Sequence, residues 1–471
     1  MVSFKLKKTK EKLNKTKAAT LAKEIQINVA ITAINLLPAE VLAYIFQCLL
    51  LSHSQSCFVA EGGQEGGKTL RPPDYPDSLL RVCSHWHQVA LATPTLWSHI
   101  DIFLPLSTSR KTLPRAKAFL KRSGQYPLDI HIFDEPKRPW RIYDKPDDEY
   151  SNLEAYLMNV LRQFFGGCSP GTLTKLTSRG EDFLPFIDPM ATRSSSHVLL
   201  PPIEKLEAVW LSITTLHISD ATCLPWSSNA FKGLIDLRLG ALPNPISESE
   251  FVNILKSSPG LRILQFHLRV TGALPLNTLV EPIHLNDLEV LDLIEKSLDG
   301  PGLETLIRWI DLGQKSLRLS LWCPISAESL QSFFRRSNVT EFHCRIDGSN
   351  DINIAQLEMI LRLSPGLRVL AIDGCDNRFL SRNAVYGIED SSCSPIQIDT
   401  LHLQYCQSIQ LDKLHWMIKK YSIQKLMMWS STILNGCHAA MESDITSLCP
   451  VAKRLKRREF TPMEDWIESI V

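Results

Sequence analysis

One apolar cassette, of the form apolar-x-x-apolar-x-apolar, returns nine times between residues 213 and 428. It reads Ile213/Leu216/Ile218, Leu234/Leu237/Leu239, Leu261/Leu264/Phe266, Leu288/Leu291/Leu293, then the shortened Leu319/Leu321. Val339/Phe342/Cys344, Leu367/Leu370/Ile372, Ile398/Leu401/Leu403 and Ile423/Leu426/Met428 continue it. Alternation within each cassette is the signature of a strand with one apolar face. The final positions lie 21, 27, 27, 28, 23, 28, 31 and 25 residues apart. A unit that short cannot fold alone. Its few large side chains contribute about 1.5–3 kcal/mol each on burial, whereas fixing its backbone costs about 1–2 kcal/mol per residue. Stacked units escape this limit by sharing one core.

The spacing falls close to the roughly 20–29-residue period of leucine-rich repeats. Two cassettes share a lead-in, Leu255-Lys256-Ser257-Ser258-Pro259-Gly260-Leu261-Arg262 and Leu361-Arg362-Leu363-Ser364-Pro365-Gly366-Leu367-Arg368. In both, apolar residues at helical spacing end at Ser-Pro-Gly, which stops a helix and turns the chain into a strand. The expected fold is therefore α/β, with a leucine-rich-repeat-like solenoid over residues 201–440 whose strands pair in parallel and in sequence order. Intervening positions such as Ile263, Gln265, Val369 and Ala371 are expected on the concave face.

A helical block precedes the repeats. Leu37-Pro38-Ala39-Glu40 opens its first helix, and Leu37, Val41, Leu42, Ile45, Phe46 and Leu49 form a broad apolar face. A second helix fits Ser78 to Ala92, with Val82, Cys83 and Trp86 on its buried side and Thr93-Pro94 as its stop. A Gly/Pro-rich insert, 52–77, separates the two and reads as a surface loop. The domain boundaries expected are a basic flexible lead at 1–33, the helical domain at 34–104, and an irregular linking region or degenerate first repeats at 105–200. A cap with a basic tail at 441–471 follows the solenoid. The helical block is too small to bury all of its apolar face, and the remainder marks an interaction site.

Charge and cysteine usage narrow the function. Residues 1–25 carry a net +6 and residues 453–458 a net +5, so the body between is near −10 within a chain of net charge +1. A nucleic-acid-binding body has the opposite balance. No uninterrupted apolar stretch of membrane-spanning length occurs, and the twelve Cys include no Cys-x-x-Cys pair. A cytoplasmic or nuclear protein with reduced thiols, and with neither nucleic-acid nor membrane partners, is the expectation.

Candidate catalytic and ligand motifs fail on context. Gly62-Gly63-Gln64-Glu65-Gly66-Gly67-Lys68-Thr69 matches the phosphate-loop pattern, but Leu70-Arg71-Pro72-Pro73 blocks the helix that must follow. His85 and His87 stand two apart on a helix, which points them to different faces. Other His and Cys lack zinc-ligand spacing. No catalytic, cofactor-binding or metal-binding residue is expected.

The segments Leu36 to Phe46, Leu80 to Ala90 and Thr93 to Trp97 resemble an F-box, most closely the F-box-like proteins abundant in mushroom-forming fungi. The matching features are Leu-Pro-x-Glu-apolar-Leu, Ile45-Phe46, Val82-Cys83-x-x-Trp86 and Pro94-Thr95-Leu96-Trp97. The sequence departs from the pattern at His87, where the family commonly has Arg, and in the long insert. The segment Leu120 to Gly124 with Pro127-Leu128, and the repeats, also look like that family's continuation. The resemblance implies a non-enzymatic substrate-recognition subunit of an SCF-type cullin–RING ubiquitin ligase. Leu37, Pro38, Val41, Leu42, Ile45 and Phe46 would contact the Skp-type adaptor, with Val82, Cys83 and Trp86 joining the contact or holding the helices together. The repeats would bind a protein substrate. A repeat scaffold or tether that recruits no ligase is the rival reading, and an NTPase resting on the Gly62 loop is a third.

Overall fold

The computed structural model describes residues 33–54, 75–103, 109–133, 161–179, 201–219, 224–240, 245–275, 278–294, 304–322, 325–345, 354–375 and 397–455. The basic lead, the Gly62–Thr69 loop, the Phe460/Trp466/Ile467 cluster and most of two segments whose composition reads as long loops, 135–150 and 177–202, lie outside them; residues 177–179 are instead the end of a strand. The chain divides into two compact units, Met1–Glu135 with Gly167–Thr172, and Pro136–Gly166 with Leu173–Val471.

The first unit contains α1 (Ala39–Ser54), α2 (Ser84–Leu91), β1 (His99–Phe103), α3 (Ser109–Ser123) and β2 (Leu128–Phe133). Trp97 is its hub. The indole is fully buried and donates from Nε1 to the Ala90 carbonyl at 2.8 Å. The Phe119 ring meets it edge-on at 5.0 Å and the Arg122 guanidinium lies 4.3 Å over it. Residues 109–133 therefore belong to the same compact unit as the two helices, so that unit does not close at residue 104.

One further expectation is overturned by the structure. The second helix is broken: a 3-10 turn (Leu79–Arg81) and α2 are separated at Cys83, whose extended backbone (φ −160°) caps α2 while its sulfur accepts from Trp86 N–H at 3.5 Å. The described end of the insert, residues 75–77, is anchored. The Tyr75 hydroxyl donates to the Phe46 carbonyl, and Arg115 binds both the Asp77 carboxylate (2.6 Å) and the Tyr75 carbonyl (3.0 Å).

Among the described residues of the second unit, eleven strands lie side by side in one parallel sheet. Its strands are β3 (Leu173–Arg179), β4 (Thr215–Ser219), β5 (Asp236–Leu239), β6 (Ile263–Phe266), β7 (Val290–Ile294) and β8 (Leu317–Trp322). They continue with β9 (Val339–Arg345), β10 (Val369–Asp373), β11 (Thr400–Gln404), β12 (Lys425–Trp429) and β13 (Val451–Leu455). Their order in the sheet is their order in the chain. Each of the nine cassettes falls on one strand, β4 to β12. Register preserves the pattern: Leu216, Leu237, Leu264, Leu291, Leu319, Phe342, Leu370, Leu401 and Leu426 pair in turn. All nine are fully buried. The uneven spacing is absorbed mostly between strands; the register shifts once, at an irregularity between Leu317 and Arg318 of β8, before the columns resume.

Helices cover the apolar face. Among them are α4 (Ile203–Trp210), α5 (Glu248–Ser257), α6 (Ala327–Arg335), α7 (Ile354–Leu363) and α8 (Leu411–Lys420). Phe251 on α5 meets Phe266 on β6 at 4.8 Å, and Phe334 on α6 meets Phe342 on β9 at 5.4 Å. Helix α5 opens with a reciprocal capping box between Ser247 and Glu250. It stops at the expected Ser-Pro-Gly, where Ser258 Oγ accepts from Leu234 N–H and donates to the Phe231 carbonyl. The sheet also reaches beyond the expected 201–440, through β3 before it and β13 after it.

Leu264 and Ile235 provide a direct test of the shared core. Leu264→Ala should lower the stability of the second unit by about 2–5 kcal/mol in urea unfolding. Ile235→Ala, at a 43% exposed position, should change it by no more than about 0.5 kcal/mol.

Candidate docking surface

Helix α1 is apolar around much of its circumference, and the fold divides that surface in two. Leu42 and Phe46 point inward and are fully buried, with Phe46 against Trp86 at 4.9 Å. Val41, Tyr44, Ile45 and Cys48, related by three- and four-residue steps, lie on the other side. Val41 is 43% and Tyr44 67% exposed, and Ile45 is half-buried. Leu36, at 75% exposed, and exposed Pro38 extend the patch at the helix start. The helix begins at Ala39, with the Pro38 carbonyl accepting from Leu42 N–H at 3.0 Å.

The nine expected contact residues are thus sorted. Pro38, Val41 and Val82 are exposed, whereas Leu37, Ile45, Cys83 and Trp86 are half-buried. Leu42 and Phe46 are core and can act only by holding α1 in place. Val82, expected on the buried side of a helix, is 52% exposed because it sits in the break before α2. Trp86 donates from Nε1 to Asn35 Oδ1 at 2.8 Å, which fixes the turn Ala33–Leu36 beside α1. Asn35, Leu36 and Tyr44 were not expected contributors. The three-residue step from Val41 was the available signal for Tyr44.

In the second unit the sheet positions between the apolar columns are largely polar, and many are buried. Asp236 is held by Arg238 through two hydrogen bonds (2.9 and 2.7 Å) and lies 3.0 Å from His217. Burial raises the Asp236 pKa, but these partners outweigh it and hold the carboxyl below its ordinary value. Asp292 accepts from Gln265 at 3.1 Å and pairs with His267 at 2.7 Å. Ile263 and Ala371, expected to be exposed, are buried, while Gln265 and Val369 are half-buried. Ile263 stands between Asp236 and Val290, and Ala371 between His343 and His402, so side chains of the flanking strands cover both.

Two histidines on this face are neutral in the folded state. Burial lowers His343 to about 4 against the opposing field of Asp292. Burial lowers His402 to about 4 as well, helped by Lys425 and His343; its ring stacks on Trp429 at 5.2 Å.

A separate group lies on β1 and β2 of the first unit. His99 stands 3.2 Å from Asp129 and 3.4 Å from Asp101, and His131 stands 2.8 Å from Asp129. Burial acts to lower the His99 pKa, but hydrogen bonds and attraction from Asp101 and Asp129 dominate and push it up to about 9. His85 and His87, the other histidine pair considered from the sequence, do not converge: His87 Nδ1 meets the Leu80 carbonyl at 3.0 Å.

No protein-family model matches the chain, and no curated protein matches it. Among the described residues no helix is long and apolar enough to cross a membrane.

The buried histidines set a pH dependence. The folded pKa of His343 is below the unfolded value near 6.5, so the unfolded chain binds more protons between those values. The associated stability is fully present above pH 6.5 and is lost as pH falls toward 4, by up to about 3 kcal/mol. His343→Gln should flatten that part of the stability–pH curve in urea titrations. Gln265→Ala removes a donor to a buried carboxylate and should cost about 1–3 kcal/mol, more than a surface position would.

Proposed function

We propose that this chain is a substrate-recognition subunit of an SCF-type cullin–RING ubiquitin ligase, and not itself an enzyme. The outer face of α1 binds a Skp-type adaptor, and the repeat region binds the protein substrate. The observation that carries this reading is the division of α1. Its inner residues anchor it to the Trp86–Trp97 core, leaving Leu36, Pro38, Val41 and Tyr44 exposed as an apolar patch of the kind that marks interaction sites. Of the matching sequence elements, Cys83 and Trp86 both reach Asn35, beside the start of α1. The strict chain order of β4 to β12, with helices on one face, supports the leucine-rich-repeat-like solenoid. In this reading adaptor docking and substrate selection fall to different units of the chain. Its cytoplasmic or nuclear placement follows from the proposed partners.

The exposed and buried halves of α1 make the reading testable. Val41 lies in the first turn, where an acid suits the helix dipole. Val41→Asp should therefore leave the melting temperature nearly unchanged while abolishing adaptor pull-down, since a central anchor typically contributes about 2 kcal/mol or more. Leu42→Ala should instead lower the melting temperature. Undiminished adaptor capture by Val41→Asp combined with Pro38→Ala would overturn the assignment.

A further inference from the structure

Strands β1 and β2 carry mirrored sequences, His99-Ile100-Asp101 and Asp129-Ile130-His131. They pair in parallel with His99 opposite Asp129 and Asp101 opposite His131. The two-residue period of a strand puts all four side chains on one sheet face. The result is a square in which each histidine has a carboxylate beside it along the strand and another across it.

We propose that His99, Asp129 and His131 bind one divalent transition-metal cation of the zinc class, with Asp101 as a positioning residue. Ligand atoms of the three residues all lie within 4.8 Å of one another. Asp129 is placed centrally: its Oδ2 is 3.2 Å from His99 Nδ1 and its Oδ1 is 2.8 Å from His131 Nε2. Zinc bonds of about 2.0–2.2 Å to nitrogen and oxygen require ligand atoms to converge to such separations. Imidazole together with carboxylate favours zinc and its neighbours over magnesium or calcium, which prefer all-oxygen sites.

Two independent features point the same way. Asp101 is 8% exposed, and its Oδ1 lies 3.4 Å from His99 Nε2. It can accept a hydrogen bond from Nε2–H and so leave the unprotonated Nδ1 for the metal, as outer-shell carboxylates do for metal-bound histidines. The rings are also packed in place: His131 lies 4.5 Å from His99 and stacks near-parallel on Phe133, which itself stacks on Phe103. Three protein ligands leave a coordination position for water or for a group from another molecule. Local spacing in the sequence conceals the site, because its halves are 30 residues apart and meet only through strand register.

Full-length protein freed of metal with a chelator would be titrated with Co²⁺, followed by visible absorption, and with Zn²⁺ by calorimetry. One saturable equivalent is expected, with zinc displacing cobalt. Asp129→Asn and His131→Gln should abolish that equivalent, Asp101→Asn should weaken it about 10–100-fold without changing stoichiometry, and His284→Gln should leave it unchanged. A second measurement needs no variant: zinc should slow carbethoxylation of His99 in the wild-type protein, while the exposed His284 reacts as before. Absence of saturable binding would leave the square as ion pairs only and overturn the proposal. So would binding retained by Asp129→Asn, a thiolate charge-transfer band assigning the metal to cysteine, or undiminished reactivity of His99 with zinc present.

Discussion

Strand register is the constraint on which the second unit depends. Each repeat brings only two or three apolar cassette side chains, too little to offset the entropy of ordering its own backbone. Held in parallel register, the same residues become continuous columns, of which Leu216 through Leu426 is one. Every strand then supplies half of its neighbours' lateral contacts. A single polar substitution within a column is felt by the strands on both sides, and the uneven spacing between cassettes costs little because it falls in the connections.

The first unit solves a different problem with fewer residues. It must keep part of an apolar helix in water while remaining folded. Trp97, gripped by Phe119, Arg122 and the Ala90 carbonyl, supplies a core compact enough to hold Leu42 and Phe46. Tyr75 and Arg115 tie the far end of the insert to that core, and Asn35 ties the entrance of α1 to Trp86. The exposed side of α1 is thus set by what its inner side is packed against.

Much of this was legible in the sequence, for physical reasons. Cassette positions have a fixed period and large side chains, and Ser-Pro-Gly can do little but end a helix, so β4 to β12 and the stop of α5 follow directly. The break at Cys83 was not legible because a sulfur cap is weak and unusual, and the flanking residues continue a helical pattern. Strand β13 escaped because Ala452 and Arg454 stand where the other strands carry large apolar residues. The α1 stripe could be seen but not divided, since Val41 and Leu42 are chemically alike and only packing tells them apart. Burial of Ile263 and Ala371, and the square of His99, Asp101, Asp129 and His131, depend on neighbours distant in sequence.

The central claim is that the outer side of α1 is a docking face and the sheet of the second unit is not used for the same contact. Hydrogen–deuterium exchange of the full chain, alone and mixed with a Skp-type adaptor, reads both surfaces at once. The account predicts adaptor-dependent protection confined to residues 36–49 and 82–86, with exchange in β4 to β12 unchanged. Failure to form a complex, or protection appearing in the sheet while α1 exchanges as before, would contradict it.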